Sequence, residues 1–87
     1  MELADIRQTI DAIDDELVGL FVRRMEASAA VAEAKRKTGK PVYDAVREQI
    51  VLDRVAAKAG SRFADETRRL YTAIMDISKD RQRRILG

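Results

Sequence analysis

Apolar residues in the first part of the chain recur alternately three and four positions apart, which is the pattern of a helix that packs along another helix. We call this series of positions the seam: Leu3, Ile6, Ile10, Ile13, Leu17, Leu20, Arg24, Ala27, Val31 and Ala34. The series ends at Thr38-Gly39-Lys40-Pro41, where Gly permits a helix C-cap and Pro cannot continue a helix. The pattern predicts one long helix over residues 4–37.

Two shorter amphipathic helices are predicted after this break. Asp44 is a good N-cap for a helix over residues 45–59, and Ala59-Gly60-Ser61 separates it from a helix over residues 64–84. The inner positions expected in these helices are Val51, Leu52, Val55 and Ala59, and then Thr67, Leu70, Tyr71, Ile74, Ile77 and Ile85. The fold class is therefore all-α, with residues 1–87 as a single domain and both shorter helices expected to pack against the first.

The first helix is too long for a compact monomer. Some 33 residues span about 50 Å, whereas a compact chain of this length has a radius of gyration of ~12 Å and a diameter near 30 Å. The two shorter helices together cannot cover the whole seam. We therefore expect an intertwined helical homodimer in which two long helices pair. The alternative, one long helix that bends or frays in a monomer, is disfavoured because the seam would still need covering.

Composition restricts the available chemistry. The chain contains no His and no Cys, which excludes catalytic triads, thiolate nucleophiles and Cys/His zinc sites. Arg, Lys, carboxylates, amides and hydroxyls remain, and these groups suit the binding and polarising of an anion better than attack on it.

Charge and hydropathy disfavour several other classes of function. The 17 basic and 15 acidic residues are interspersed and leave a net charge of +2, which is weak support for nucleic-acid binding. No apolar run approaches the roughly 18 residues of a membrane span. The N-terminal sequence MELADIRQ lacks the basic start and apolar stretch of a signal peptide. The expected location is the cytoplasm.

Polar residues interrupt the inner stripe of each predicted helix. Arg24 lies in the seam, and Lys35 follows eleven residues later on the same face, some 16 Å away. Glu48 heads the inner stripe of the second helix, and Ser78 and Gln82 continue that of the third. Each residue alone has an ordinary structural role, such as snorkelling, helix-dipole pairing or partial exposure. Because buried charge is costly unless matched, their combination suggests a pocket for an anionic, oxygen-rich ligand. The pattern alone does not distinguish such a pocket from independent structural roles for each residue.

Arg7 bears on the same hypothesis. It precedes Arg24 by 17 residues, which is about 25 Å along the helix and about 100° around it. The two side chains cannot reach one small ligand from the same helix, so Arg7 could share the site of Arg24 only from a partner chain. The alternative is a surface Arg paired with Asp5 or Asp11, which would contribute little to stability.

The residues match the all-helical class of chorismate mutases, which the chain resembles over essentially its whole length. The segments that carry the resemblance are Ile6–Leu17, Arg23-Arg24, Ala34-Lys35, Pro41–Glu48, and the pair Ser78 and Gln82. The resemblance implies a three-helix protomer in an intertwined dimer with two active sites. It also implies the rearrangement of chorismate to prephenate in aromatic amino-acid biosynthesis, without a cofactor or a metal.

The resemblance assigns four residues to the charged and reacting parts of chorismate. Arg24, together with Arg7 of the partner subunit, would bind the carboxylates. Lys35 would reach a carboxylate and the ether oxygen, and Gln82 would donate its amide to that oxygen. Since an amide donates without titrating, activity is expected to persist at neutral pH and above.

The resemblance assigns four further residues to substrate binding. Glu48, with backbone near Asp44, would accept a hydrogen bond from the ring hydroxyl. Ser78 would contact a carboxylate, and Arg47 would support the site from the start of the second helix. Asp44 and Glu48 also favour a mutase over an isochorismate pyruvate lyase of the same fold, which the resemblance implies lacks them.

A non-catalytic helical dimerisation or nucleic-acid-binding module is the remaining alternative. It would account for the seam and the basic residues, but it would not account for Lys35, Glu48, Ser78 and Gln82 at inward positions. Nucleic-acid binding would also favour basic residues interleaved with aromatics, and the chain has two Phe and two Tyr.

Overall fold

A computed structural model describes residues 1–87 and contains three helices, which are joined by two short connections. They are α1 (Leu3–Thr38), α2 (Ala45–Ala59) and α3 (Ala64–Leu86). The predicted helices are confirmed to within two residues at every end, and so is the all-α class. None of the helices combines the length and apolar character that a membrane span requires.

The helix ends follow the local signals in the sequence. Gly39 adopts a left-handed conformation with φ of 72° and donates its N–H to the carbonyl of Lys35, which ends α1. The carboxylate of Asp44 accepts the backbone N–H of Arg47 at 3.0 Å and caps the start of α2. At the far end of the chain, Arg36 Nη2 donates to the carbonyl of Ile85 at 2.7 Å and joins the last turn of α3 to α1.

α3 is the central helix, because it packs against both α1 and α2. The prediction that both shorter helices pack on the first is therefore correct for α3 and wrong for α2. The physical reason is the short connection at Gly60, which makes α2 and α3 antiparallel neighbours. Val51 and Val55 of α2 bury themselves against Met75 of α3, with Tyr71 packed at the edge of this cluster.

Some of the predicted inner positions need correction. Leu70 and Ile77 are about half exposed, and Ala59 is exposed, whereas Ala56 and Met75 are buried. The periodic pattern could not distinguish these neighbouring faces, because α3 meets two helices and leaves a third stripe uncovered. The buried stripe of α3 runs through Met75, Ser78 and Gln82.

The N-terminal half of α1 is left exposed by the rest of the chain. Every residue before Phe21 is exposed, and the seam residues from Leu3 to Leu20 retain between 37% and 59% of their accessible surface. The chain measures 54 × 25 × 14 Å with a radius of gyration of 15.9 Å, well above the ~12 Å of a compact domain of this length. The prediction that the two shorter helices cannot cover the seam is confirmed.

α1 packs on α3 through a stripe next to the seam. Its buried residues are Ser28 and Ala32, and Phe21 and Met25 extend this stripe as partly buried residues. Ala27, Val31 and Ala34 of the seam stay exposed. The long helix therefore has two neighbouring, largely apolar stripes, of which its own chain covers one.

Candidate active site

A cavity of about 320 Å³ lies among the three helices, within the size range of small-molecule sites. It collects seven of the eight site residues expected from the sequence: Arg24, Lys35, Asp44, Arg47, Glu48, Ser78 and Gln82. The eighth, Arg7, is exposed on the N-terminal half of α1 and does not line the cavity. One chain thus assembles every expected group except the one that the sequence placed on a partner.

The wall between α1 and α3 is held by a hydrogen-bonded pair. Arg24 Nη1 donates to Ser78 Oγ at 3.2 Å, and the guanidinium lies 5.7 Å from the centroid of the Tyr71 ring. The hydroxyl of Ser78 lies 3.7 Å from the sulfur of Met25. A guanidinium has five N–H donors, so Arg24 keeps most of them for a ligand while its plane is fixed by Ser78 and Tyr71.

Gln82 and Ser28 form a second pair across the same wall. Both side chains are 7% exposed, and Gln82 Nε2 donates to Ser28 Oγ at 2.8 Å. The other polar atom of the amide, Oε1, is buried without a partner. Ser28 lies between Arg24 and Lys35 on the face of α1 that those two residues share. Its role as the partner of Gln82 depends on the packing of α1 on α3 and so could not be predicted from that spacing.

Lys35 links the end of α1 to the connection that leads into α2. Its ammonium donates to the carbonyl of Val42 at 2.7 Å, two residues before the N-cap Asp44. One of its three N–H groups is thereby used, and two remain for a ligand in the cavity. The local break at Gly39 turns the chain so that this contact can form.

Lys79 is a cavity residue that sequence reasoning missed. Its ammonium pairs with Glu48 at 2.9 Å and Asp76 at 3.3 Å, and it lies 4.9 Å from the centroid of the Tyr43 ring. The hydrogen bond with Glu48 raises the pKa of Lys79 above its usual 10.5, although burial acts in the opposite direction. Lys79 is therefore charged at neutral pH and holds Glu48 against the cavity wall.

Arg54 is the other cationic residue that the sequence interpretation left out. It follows Arg47 and Val51 at spacings of seven and three residues, and all three line the cavity. This helical spacing is a signal that could have identified it. The cavity is lined in total by five cationic side chains and two acidic ones, an excess that suits a ligand with more than one negative charge.

Comparisons with known proteins identify sequences that are similar to this chain. A family model described as chorismate mutase type II matches residues 6–83. A chorismate mutase from Methanocaldococcus jannaschii is 35% identical over 65 residues, which are 75% of this chain and 66% of that protein. A bifunctional chorismate mutase/prephenate dehydratase from Escherichia coli is 33% identical over 86 residues, which are 97% of this chain and 22% of that protein.

A third relative, the T-protein of Haemophilus influenzae, is 40% identical over 50 residues, which are 58% of this chain and 13% of that protein. The matched regions therefore cover less than two thirds of the length of each of these relatives. No solved structure gives a significant match to the chain.

Proposed function

Since the chain belongs to the chorismate mutase type II family, we propose that it converts chorismate to prephenate as a step of aromatic amino-acid biosynthesis. The observation that carries this proposal is the cavity among the three helices, which gathers Arg24, Lys35, Glu48 and Gln82 from separate parts of the chain. A biosynthetic role of this kind favours the cytoplasm as its location.

The reaction makes modest demands on a protein. Within one chorismate molecule the carbon–oxygen bond of the enolpyruvyl ether breaks while a carbon–carbon bond forms to the ring, so no atom enters or leaves. Catalysis then consists of holding the side chain over the ring and of stabilising the negative charge that builds on the ether oxygen. Side chains that donate hydrogen bonds are sufficient for both tasks.

The cationic side chains fit the two carboxylates of chorismate. Arg24 is already oriented by Ser78 and Tyr71, so it can bind a carboxylate in a bidentate manner without losing further side-chain entropy. Ser78 would contact the same carboxylate. Lys35 has N–H groups left for a carboxylate and for the ether oxygen, and Arg47 adds positive charge from the first turn of α2.

The ether oxygen and the ring hydroxyl would be met from opposite sides. Gln82 and Lys35 would donate to the ether oxygen, where their hydrogen bonds strengthen as charge develops and so favour the transition state over the substrate. Glu48, held by Lys79 through one carboxylate oxygen, would accept from the ring hydroxyl with the other. Asp44 brings the start of α2, and with it nearby backbone groups, to the same end of the cavity.

We propose further that the working protein is a homodimer and that Arg7 completes the site of the partner subunit. The uncovered seam from Leu3 to Leu20 supports a second copy, because a soluble monomer rarely leaves so long a row of apolar residues exposed. Arg7 lies about 25 Å from Arg24 along a continuous helix. It therefore cannot reach the cavity of its own chain, whereas an intertwined partner would place it near the other cavity.

The test is to incubate the purified protein with chorismate and to follow the loss of chorismate and the appearance of prephenate. We expect conversion by the wild-type protein and a loss of at least about 100-fold in kcat/KM for Arg24→Ala, as for removal of one preorganised donor. The matched control is Arg23→Ala, because Arg23 is the exposed neighbour on the same helix. No conversion by a helical, dimeric wild-type protein would contradict the proposal.

The same preparation tests the isochorismate pyruvate lyase alternative. With isochorismate as substrate, a lyase releases pyruvate. A mutase with Asp44 and Glu48 in its cavity is expected to release pyruvate far more slowly than it forms prephenate from chorismate. Pyruvate release that exceeds prephenate formation would favour the lyase instead.

A further inference from the structure

The buried contact between Gln82 and Ser28 leaves one half of the Gln82 amide unsatisfied. Nε2 donates to Ser28 Oγ at 2.8 Å, while Oε1 is buried and accepts no hydrogen bond. Leaving a buried polar atom unpaired costs about 1–3 kcal/mol, and native proteins pair nearly all such atoms. The observed orientation of this amide therefore carries a cost, and the opposite orientation becomes favourable once a ligand changes the surroundings of Gln82.

A serine hydroxyl can both donate and accept a hydrogen bond. If the Gln82 amide turns by half a rotation about its last bond, Oε1 takes the place of Nε2 and accepts the Ser28 hydroxyl proton. The contact between the two side chains is kept, and the orphaned oxygen gains its partner. The N–H that had donated to Ser28 is released, so that both N–H groups of Nε2 are then free to donate.

The rotated amide has its own cost, because two buried N–H groups then lack an acceptor. A ligand with an oxygen next to Gln82 removes this cost. Both Gln82 and Ser28 line the cavity, so a bound ligand can supply that acceptor. The free protein and the ligand-bound protein thus favour opposite orientations of one amide, and Ser28 can serve both.

We propose that Ser28 is a positioning residue that holds the Gln82 amide in either orientation and, when substrate is bound, accepts the rotation that turns Nε2 toward the reacting oxygen. This inference rests on the proposed mutase function, in which Gln82 donates to the ether oxygen. The Ser28 hydroxyl acts by orienting the Gln82 amide, which is the group that donates to the substrate.

The first test replaces Ser28 by Ala, which removes the hydroxyl from a helical position that tolerates Ala well. We expect kcat to fall about 3- to 10-fold, as for one neutral hydrogen bond that is lost in the transition state, with a smaller change in KM. Ser28→Thr keeps the hydroxyl and should recover most of the rate. The control Ser61→Ala alters an exposed serine outside the cavity and should leave kcat unchanged.

The second test uses pH and does not depend on the size of the rate loss. In Gln82→Glu the side chain must be protonated before it can donate, so activity falls as pH rises through the pKa of that carboxyl. A Ser28 hydroxyl that donates to the carboxylate stabilises its charged form. We therefore expect the midpoint of the pH–rate profile to rise by about half a unit to one unit when Ser28→Ala is added to Gln82→Glu.

The charged groups that line the cavity around position 82 are unchanged in both variants, so their effect on the midpoint cancels. They are Arg24 and Lys35 of α1, Asp44 in the connection, Arg47, Glu48 and Arg54 of α2, and Lys79 of α3. A structural role for Ser28 would lower thermal stability and leave the midpoint in place.

The outcomes separate this inference from the proposed function. A wild-type protein that does not convert chorismate contradicts the proposed function itself. If the wild-type protein is active, an unchanged kcat in Ser28→Ala together with an unmoved midpoint in the double variant overturns the role of Ser28 alone. A reduced kcat that Ser28→Thr restores, together with a raised midpoint, supports it.

Discussion

Combining one chain that lacks Arg7 with another that lacks Arg24 tests whether the proposed active site is shared between two subunits or is formed by one chain alone. Arg24 lines the cavity, and Arg7 lies on the uncovered half of the same helix, about 25 Å away. If Arg7 serves the cavity of the partner subunit, then each single variant is defective at both sites of its homodimer. A heterodimer of the two variants has one site with both arginines intact and one site with neither.

The expected recovery can be worked out from the symmetry of the dimer. Random assembly of equal amounts of the two variants gives about one half heterodimers, and each of these has one intact site of two. The mixture should therefore regain about one quarter of the wild-type activity per chain. Each variant alone should remain at least about 100-fold below wild type, since each lacks a charged donor to the substrate.

The assay is chorismate conversion, measured on the mixture and on heterodimers that are isolated by two different affinity tags after co-expression. The isolated heterodimers should have about one half of the wild-type activity per chain, because one of their two sites is intact. The matched control pairs Arg7→Ala with Arg23→Ala, where the exposed Arg23 should add no loss of its own. No recovery in verified heterodimers would refute the placement of Arg7 at the partner's site. Full activity of the Arg7→Ala homodimer would remove Arg7 from the site altogether.

Three further predictions address the seam, the pair at Lys79 and the end of α3. Ile13→Glu should convert the proposed dimer to a partly unfolded monomer, which size-exclusion chromatography and circular dichroism would detect, whereas Gln8→Glu on the opposite face of the helix should not. A dimeric Ile13→Glu protein would count against the seam as the interface. Because the pKa of Lys79 is raised in the folded state, its ion pair stabilises the protein fully below the usual lysine pKa of 10.5, and this stability is lost as pH rises through the higher folded-state value. Thermal unfolding should therefore show wild type more stable than Lys79→Met at neutral pH and the difference shrinking at alkaline pH; a constant difference would refute the pair as its source. Arg36→Ala should lower the free energy of unfolding by about 1 kcal/mol and speed amide hydrogen exchange in the turn at Ile85. It should also reduce kcat, because that turn follows Gln82. Unchanged hydrogen exchange would show that the contact does not order the turn.

The ends of the helices could be predicted from the sequence because their signals are local. Gly39 and Asp44 act on hydrogen bonds within their own turns, and the sequence around them is enough to identify them. The same holds for Arg24 and Lys35, whose shared face follows from helical spacing alone. The positions of these residues define which face of each helix points inward, and the inward polar groups follow from that face.

The choice of contact faces could not be predicted in the same way. The stripe of α1 that its own α3 buries, through Ser28 and Ala32, lies beside the seam and has similar spacing. Periodicity shows that a face is apolar but does not show which helix covers it. For that reason α2 was wrongly placed against α1, and Met75 was missed as a core residue.

The cavity residues that the sequence interpretation missed depend on contacts between distant parts of the chain. Lys79 is followed in the sequence by two further charged residues, Asp80 and Arg81, and nothing local distinguishes it from them. Its partners Glu48 and Tyr43 come from α2 and from the connection before it. The partnership of Ser28 with Gln82 likewise requires α1 and α3 to be packed first. Such pairs follow from tertiary structure and leave no local signal in either segment.

If a second copy covers the exposed seam, as proposed above, the protein is also subject to mass action. Only eight of 87 residues are buried within one chain, so a second copy would supply much of the free energy that keeps the helices formed. The stability of such a chain depends on its total concentration. Each tenfold dilution lowers the free-energy gain of association at that concentration by about 1.4 kcal/mol, although the Kd itself does not change. Since each cavity would also need Arg7 from the other copy, helicity and specific activity should decline together on dilution and recover together on concentration.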